Sequence, residues 1–163
     1  MAGRIDSKLA ELGIELPNPK APVANYVPFV RTGNLLFVSG QVSLAADGPI
    51  NGQLSAADHV EGAPPAGSKL ATAMGAARVC GLNMIAQVKA ATGDLDKVVR
   101  VVKLTGFVNS TPDFADQPKV INGASDTLVA ILGDKGRHAR SAVSAASLPF
   151  GVAVEIEGIF EVG

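Results

Sequence analysis

The chain has one cysteine, two histidines, no tryptophan and no long hydrophobic run. A single cysteine, Cys80, cannot form an internal disulfide, and with so few histidines the composition argues against a dedicated zinc site. Residues 1–7 lack the apolar core of a signal peptide, and no stretch approaches the length of a membrane span. We therefore expect a cytoplasmic protein in a reducing compartment, with no bound metal and no membrane partner.

Charge of either sign is also scarce. The 14 Lys and Arg residues and the 15 Asp and Glu residues give a net charge of −1, and the pI is near 6.1. The basic residues are scattered and never adjacent, so the sequence shows no electrostatic footprint for nucleic acid. We expect no nucleic-acid partner.

Small and aliphatic residues dominate what remains. Hydrophobic residues make up 47% of the chain but aromatic residues only 4%, and the mean hydropathy is +0.29. This value is high for a chain of 163 residues, and a sizeable subunit interface would account for it. The length suits one domain spanning residues 1–163.

The order of predicted elements favours an α+β fold. Apolar spacing predicts an N-terminal helix over residues 4–12, with Asp6 or Ser7 as its cap, and an extended connection to residue 23. Turn residues make residues 43–67 a hairpin or a long loop. The remaining predictions are a buried strand at 35–38, helices at 68–91 and 117–132, and a central strand at 98–108. Helices on one face of a mixed sheet would follow.

The C-terminal residues predict a β-hairpin. Residues 140–147 and 152–162 have strand composition, and 148–151 have turn composition. Hairpin pairing would place Ala142 opposite Glu157, with Arg140 as the diagonal neighbour of Glu157. A small anionic ligand would fit between the guanidinium and the carboxylate, although a structural Arg–Glu pair on a solvated face fits the pattern equally well.

Seven short motifs in register resemble one family. They are Tyr26, Phe37–Gln41, Gly93–Val98, Phe107-Val108, Asp113-Phe114 with Asn122, Ala139–Val143, and Leu148-Pro149 with Val154–Glu157. Together they cover about residues 24–162 and resemble the RidA family, also called YjgF. The N-terminal helix, the 43–67 segment and the stretch after Asn122 resemble its longer branch.

The resemblance implies a chorismate-mutase-like fold in a homotrimer, with three ligand sites between subunits. It also implies hydrolysis of reactive 2-imino acids, or their enamine tautomers, to 2-keto acids and ammonia, without a cofactor. Arg140 would grip the substrate carboxylate and Glu157 would hold the attacking water. The lining residues would be Tyr26, Ser39, Gly40, Asn122 and the main chain of Ala142. Glu155 matches a less informative position, and we expect it to support the site from behind.

Two departures from the family pattern affect these expectations. Ala142 stands where the family has a reactive cysteine, which removes thiol-based regulation but spares a main-chain contact. Ala24-Asn25-Tyr26 replaces the family's Gly-Pro-Tyr, which changes the rim of the pocket.

Each candidate also has a structural interpretation. Tyr26 fits a cap on a subunit edge, Ser39-Gly40 a strand-ending turn, and Asn122 a helix-surface position. No histidine lies where the sequence suggests pairing with Ser125, so we interpret Ser125 as a helix-packing residue and His138 as a turn residue.

Three other functions compete with imine hydrolysis. The altered rim and the 43–67 segment fit deamination of a larger amino-substituted acid such as an aminomuconate. A non-catalytic trimer that binds small carboxylates or partner proteins would use the same clefts. The endoribonuclease activity attached to the family name is disfavoured by the near-neutral charge and the missing aromatic platform.

Overall fold

The computed structural model describes residues 3–19, 21 and 24–163, so that Lys20, Pro22 and Val23 of the predicted extended connection lie outside the described residues. The helices are α1 (Arg4–Glu11), α2 (Lys69–Thr92) and α3 (Gln117–Leu132). The strands are β1 (Phe29–Thr32), β2 (Leu35–Val42), β3 (Leu44–Ala45), β4 (Gly48–Pro49), β5 (Val98–Asn109), β6 (Ala139–Ala145) and β7 (Val154–Val162).

The long helix α2 begins and ends as its sequence predicts. The Ser68 hydroxyl accepts a hydrogen bond from the backbone N–H of Ala71, and the helix ends at Gly93, whose φ of 72° is left-handed. Its close approach to α3 depends on a second glycine, because a Cβ at Gly123 would collide with the carbonyl oxygen of Met74. The small residues therefore let the two helices form one layer.

The cap of α1 differs from the prediction of Asp6 or Ser7. The N-cap residue is Gly3, and the carboxylate of Asp96 accepts the hydrogen bonds of the first turn from Arg4 N at 2.7 Å and Ile5 N at 2.9 Å. These contacts lower the pKa of Asp96, the bond from Arg4 most strongly. A residue about ninety positions away thus caps the helix, which a local pattern cannot show.

The main sheet is mixed, with strand order β1-β2-β7-β5-β6. The β-branched strand β5 is central as predicted, but the predicted C-terminal hairpin is wrong. β6 pairs with β5 in parallel, and β7 pairs with the other edge of β5 and with β2, in both cases antiparallel. Residues 103–108 of β5 thereby have a paired strand on both sides, whereas a β6–β7 hairpin would leave one side of this stretch unpaired.

The two faces of this sheet have different surroundings. α2 and α3 pack together on one face and bury side chains such as Leu36, Leu104 and Phe160. On the other face the described residues place no helix, and Phe37 and Val143 stay 41% and 44% exposed. Large apolar side chains exposed on one sheet face are consistent with the subunit interface that the composition favours.

The 43–67 segment forms a short hairpin and a loop, as expected. β3 and β4 pair as a two-stranded ribbon, and a 3₁₀ turn follows at Ala56–Asp58. Leu54 is buried in the core and bridges to Ser110 at the end of β5. Within the described part of the chain, no helix is long and apolar enough to cross a membrane.

Candidate functional site

Arg140 lies on β6, the edge strand beside β5. Its Cα pairs with that of Leu104, a residue buried beneath the helices. Because paired residues of neighbouring strands share a face of the sheet, the Arg140 side chain points towards the helix layer. There it reaches the first turns of α3.

Three neutral acceptors on α3 hold the guanidinium of Arg140. Its Nη1 donates to Asn122 Oδ1 at 2.9 Å and to Ser125 Oγ at 3.0 Å, and its Nη2 donates to the carbonyl oxygen of Pro118 at 3.1 Å. Of the five guanidinium N–H groups, the Nε–H and one Nη2–H are left without a partner among the described residues. Arg140 also makes no salt bridge with an acidic side chain among the described residues. The cation is thus fixed in place, and the described part of the chain supplies no counter-charge for it.

His138 extends this group, and the sequence-based interpretation missed it. His138 Nε2 lies 3.0 Å from Ser125 Oγ, and His138 Nδ1 lies 2.6 Å from the carbonyl oxygen of Gly136. The statement that no histidine is placed to pair with Ser125 is therefore wrong, as is the description of His138 as a simple turn residue. A signal was present, because His138 and Arg140 are two positions apart, the spacing of one face in an extended chain, and Asn122 and Ser125 are one helical turn apart.

A second group of predicted residues surrounds a β-bulge in β2. Val38 pairs with Gly158 and Gln41 with Ile156, so Ser39 and Gly40 together stand opposite the single residue Glu157. The Ser39 hydroxyl donates to the carbonyl oxygen of Val27 at 2.7 Å, which ties the bulge to the chain before β1.

Tyr26 lies beside the same bulge. A cleft brings Tyr26, Ser39 and Gly40 together with Asn83 of α2 and with Asn18 of the N-terminal extension. The Tyr26 side chain is 55% exposed. Three of the five lining residues expected from the sequence thus lie at this cleft, whereas Asn122 contacts Arg140 and Ala142 lies on β6.

Two carboxylates adjoin the bulge from β7. Glu155 occupies the space beside Gly40, where a Cβ would collide with its Oε1. Burial raises the pKa of Glu155, and the charge of Glu157 raises it further. Glu157 itself is exposed and lines a groove with Ser39, Lys103 and Thr105.

The predicted geometry between the two groups is wrong in one respect. Ala142 pairs with Gly106 of β5 and not with Glu157, whose partner in β5 is Thr105. Arg140 and Glu157 therefore lie on opposite faces of the sheet, with β5 between their strands. They occupy one level of the sheet but cannot contact one small ligand within a single chain, and they do not form the alternative Arg–Glu pair.

The described residues include no cluster of three His, Cys, Asp or Glu side chains that could hold a metal ion. Cys80 is buried in α2 near the Val154 carbonyl, and burial raises the pKa of its thiol well above the ordinary value. A thiol in this state is a packing residue and not a reactive nucleophile.

Three known proteins resemble this chain along nearly its whole length. Protein TCP17 of Trypanosoma cruzi is 47% identical, over 98% of this chain and 95% of TCP17. The crystal structure of Atu1372 from Agrobacterium tumefaciens, a protein with unknown function, is 46% identical with a TM-score of 0.82, covering 98% of this chain and 92% of that one. A putative endoribonuclease from Shewanella oneidensis MR-1 is 29% identical with a TM-score of 0.85, covering 98% and 100%.

The family assignment agrees with the motifs. The model of the YjgF/chorismate mutase-like, putative endoribonuclease family matches residues 6–157, a span that contains α2, α3 and β1 to β6 and both groups of candidate residues. The α+β fold with its mixed sheet is also that of the solved relatives. The chain therefore belongs to the YjgF family, to which RidA proteins also belong.

Proposed function

We propose that this protein is a hydrolytic deaminase that converts reactive 2-imino acids, or their enamine tautomers, into 2-keto acids and ammonia. One observation carries the proposal: Arg140 is a fixed cation that has no counter-charge among the described residues. Its unpaired Nε–H and Nη2–H suit the two oxygens of a substrate carboxylate, which a guanidinium binds in a plane.

The reaction needs little more than orientation, a water molecule and a base. An imine carbon beside a carboxylate is already electrophilic, so that holding it in place lowers the barrier. Water adds to this carbon and gives one proton to a carboxylate, which passes that proton to the imine nitrogen. The hydroxyl of the resulting carbinolamine then gives up its own proton, which reaches the departing amino group through the same carboxylate. The C–N bond breaks, the keto group forms and ammonia leaves, with no metal or organic cofactor in the balance.

We assign the proton transfer to Glu155, where the sequence motifs had suggested Glu157. The suggestion of Glu157 came from the family motif, and the hairpin that would have set Glu157 opposite Ala142 is absent from the sheet. Glu155 lies against Gly40, and burial raises its pKa towards the range in which a carboxylate is an effective base. The role of Glu157 is then to raise that pKa by its negative charge.

The site is completed, we propose, between the subunits of a homotrimer. Arg140 and Asn122 belong to the β6–α3 edge, whereas Glu155, Gly40 and Tyr26 belong to the β2–β7 side of the chain. Contact of the β6–α3 edge of one subunit with the open sheet face of the next would bring the first group to the second. Each trimer would then hold three equivalent sites for small carboxylate ligands. We place this trimer, as part of the proposal, in the cytoplasm.

Subunit complementation tests this arrangement. Arg140→Ala and Glu155→Ala chains are each expected to be inactive as pure trimers in an assay that releases ammonia from 2-iminopropanoate made in situ. If the two residues come from different subunits, random co-assembly of equal amounts restores about one quarter of the sites. If both residues served a site within one chain, no mixture would regain activity.

Two controls make the complementation result interpretable. Sedimentation equilibrium must show a trimer for the wild type and for both variants, and a stable monomer at micromolar concentration would overturn the interfacial site. The variants mixed after folding, without subunit exchange, should remain inactive. Activity in that mixture would show that the two folded variants exchange subunits.

A non-catalytic carboxylate-binding trimer is the second candidate, since the free edge of Arg140 would serve it equally well. The same ammonia assay separates the two functions. Tight binding of pyruvate without accelerated ammonia release would favour the binding protein, whereas acceleration over the uncatalysed rate favours the deaminase.

A further inference from the structure

A directional chain of hydrogen bonds leads from the backbone to Arg140. A carbonyl oxygen can only accept, so His138 Nδ1 must carry the proton that it shares with Gly136 at 2.6 Å. Burial and the charge of Arg140 lower the pKa of His138, against the Gly136 bond that raises it, so the neutral ring is favoured. Its Nε2 is then an acceptor.

The direction of the next bond follows from that tautomer. Ser125 Oγ lies 3.0 Å from His138 Nε2 and donates its hydroxyl proton to that nitrogen. The oxygen of Ser125 therefore turns its lone pairs away from the histidine, and one of them accepts Arg140 Nη1 at 3.0 Å. Each bond fixes the direction of the one that follows.

We propose that Ser125 and His138 are positioning residues that set the plane of the Arg140 guanidinium and thereby the affinity of the site for a 2-oxo or 2-imino carboxylate. The inference rests on the proposed carboxylate-binding role of Arg140. Asn122 and Pro118 alone hold the guanidinium at two points, and the Ser125 oxygen adds a third. Because a bidentate carboxylate contact requires one plane, loss of the third point weakens binding although the charge is unchanged.

Three substitutions separate positioning from packing. Ser125→Ala removes the third contact to the guanidinium. His138→Asn keeps a donor near Nδ1 for the Gly136 carbonyl but removes the Nε2 acceptor, whereas His138→Gln places an amide oxygen near Nε2 to accept from Ser125. Ser144→Ala is the matched control, because its hydroxyl lies on the same strand but bonds Ser110 instead of Arg140.

Pyruvate is the probe, since it carries the 2-oxo carboxylate and does not react. Titration calorimetry with the assembled protein should show roughly tenfold weaker binding for Ser125→Ala and His138→Asn, the usual effect of losing one charged hydrogen bond. His138→Gln and Ser144→Ala should stay within about threefold of the wild type. In the NMR spectrum of the free protein, the Arg140 Nε–H should become more mobile in the two weakened variants.

Three results would each overturn the proposal. Wild-type affinity in both Ser125→Ala and His138→Asn would show that the two residues only pack, and equal loss in His138→Asn and His138→Gln would show that no acceptor is needed at Nε2. Absence of any pyruvate binding by the wild type would also overturn it. Failure of the deaminase proposal is distinct: pyruvate binding would still depend on His138, while imine hydrolysis would not be accelerated.

Discussion

The β6–α3 edge and the β2–β7 side of the sheet both carry candidate site residues, at the same height along the strands. The two regions differ in how firmly these side chains are held. At the β6–α3 edge, three hydrogen bonds hold the Arg140 guanidinium, and one of their acceptors, Ser125, is itself hydrogen-bonded to His138. On the β2–β7 side, Glu155 and Glu157 flank a bulge, and no hydrogen bond from the described residues holds either carboxylate. The first region is preorganised within one chain, whereas the two carboxylates of the second are not held by hydrogen bonds of this kind.

This difference separates binding from proton transfer. A cation whose position is fixed loses little freedom when a carboxylate arrives, which favours affinity. A half-buried carboxylate with a raised pKa is suited to exchange protons with water. Changes at the β6–α3 edge should therefore alter ligand affinity first, and changes on the β2–β7 side should alter the catalytic rate.

The largest expected effect comes from Arg140→Lys. The charge is kept, but an ammonium group cannot span both carboxylate oxygens or reach three acceptors on α3. We expect kcat/KM for 2-iminopropanoate to fall by at least about 100-fold, equivalent to roughly 2.7 kcal/mol of transition-state stabilisation. Arg137→Lys is the control, since Arg137 is exposed and pairs with Asp134 instead. Wild-type turnover by the lysine variant would contradict the carboxylate clamp.

The next effect distinguishes the two carboxylates of β7. Glu155→Gln should lower kcat by roughly 100-fold, the usual contribution of a general base, and should leave pyruvate binding intact. Glu157→Gln should change kcat little but should lower the pKa of Glu155, because it removes the neighbouring negative charge that raises it. Activity needs ionised Glu155, so the acid limb of the kcat/KM profile should move to lower pH in Glu157→Gln.

Rates measured on both variants with one imine decide this assignment. A greater loss in Glu157→Gln than in Glu155→Gln would restore the role that the sequence motifs gave to Glu157. Equal losses would indicate that the two carboxylates act as one unit.

The sequence predicted the parts of the site that follow from local rules. Strand and helix periodicity placed Arg140 on a strand and Asn122 on a helix, and the Ser39-Gly40 pair ends the apolar run of β2 where the bulge lies. Choice of strand partner is not a local property. Turn residues between β6 and β7 favoured a hairpin, and only the folded sheet shows β5 between them.

The same reason explains the missed pairing of Ser125 with His138. They are thirteen positions apart along the chain, and they meet because α3 packs on the face of β6 that carries Arg140. Sequence periodicity predicts which face of its helix or strand each residue occupies. It does not predict which helix face packs on which strand face. The capping of α1 by Asp96 could not be predicted for the same reason, because it depends on the packing of two segments that are distant in the sequence.

The smallest expected effect is the pH dependence of stability that His138 contributes. Burial and the charge of Arg140 lower its pKa below the ordinary value of 6.5, although the Gly136 carbonyl opposes them. When the pH falls through that ordinary value, the unfolded chain takes up a proton that the folded chain still refuses, so the free energy of unfolding decreases on acidification. A protonated ring would also meet the Ser125 hydroxyl with a donor where it now has an acceptor.

Thermal unfolding of the protein between about pH 7.5 and about pH 5.5 measures this contribution as the part of the slope that His138→Gln removes. We expect the difference to amount to a few degrees at most, because the ring is only half buried. Ser144→Ala should keep the wild-type slope. A slope unchanged in His138→Gln would mean that His138 is protonated equally in the folded and unfolded chains. Its Nε2 would then not be held as an acceptor for Ser125, and the β6–α3 edge would be less preorganised than its hydrogen bonds indicate.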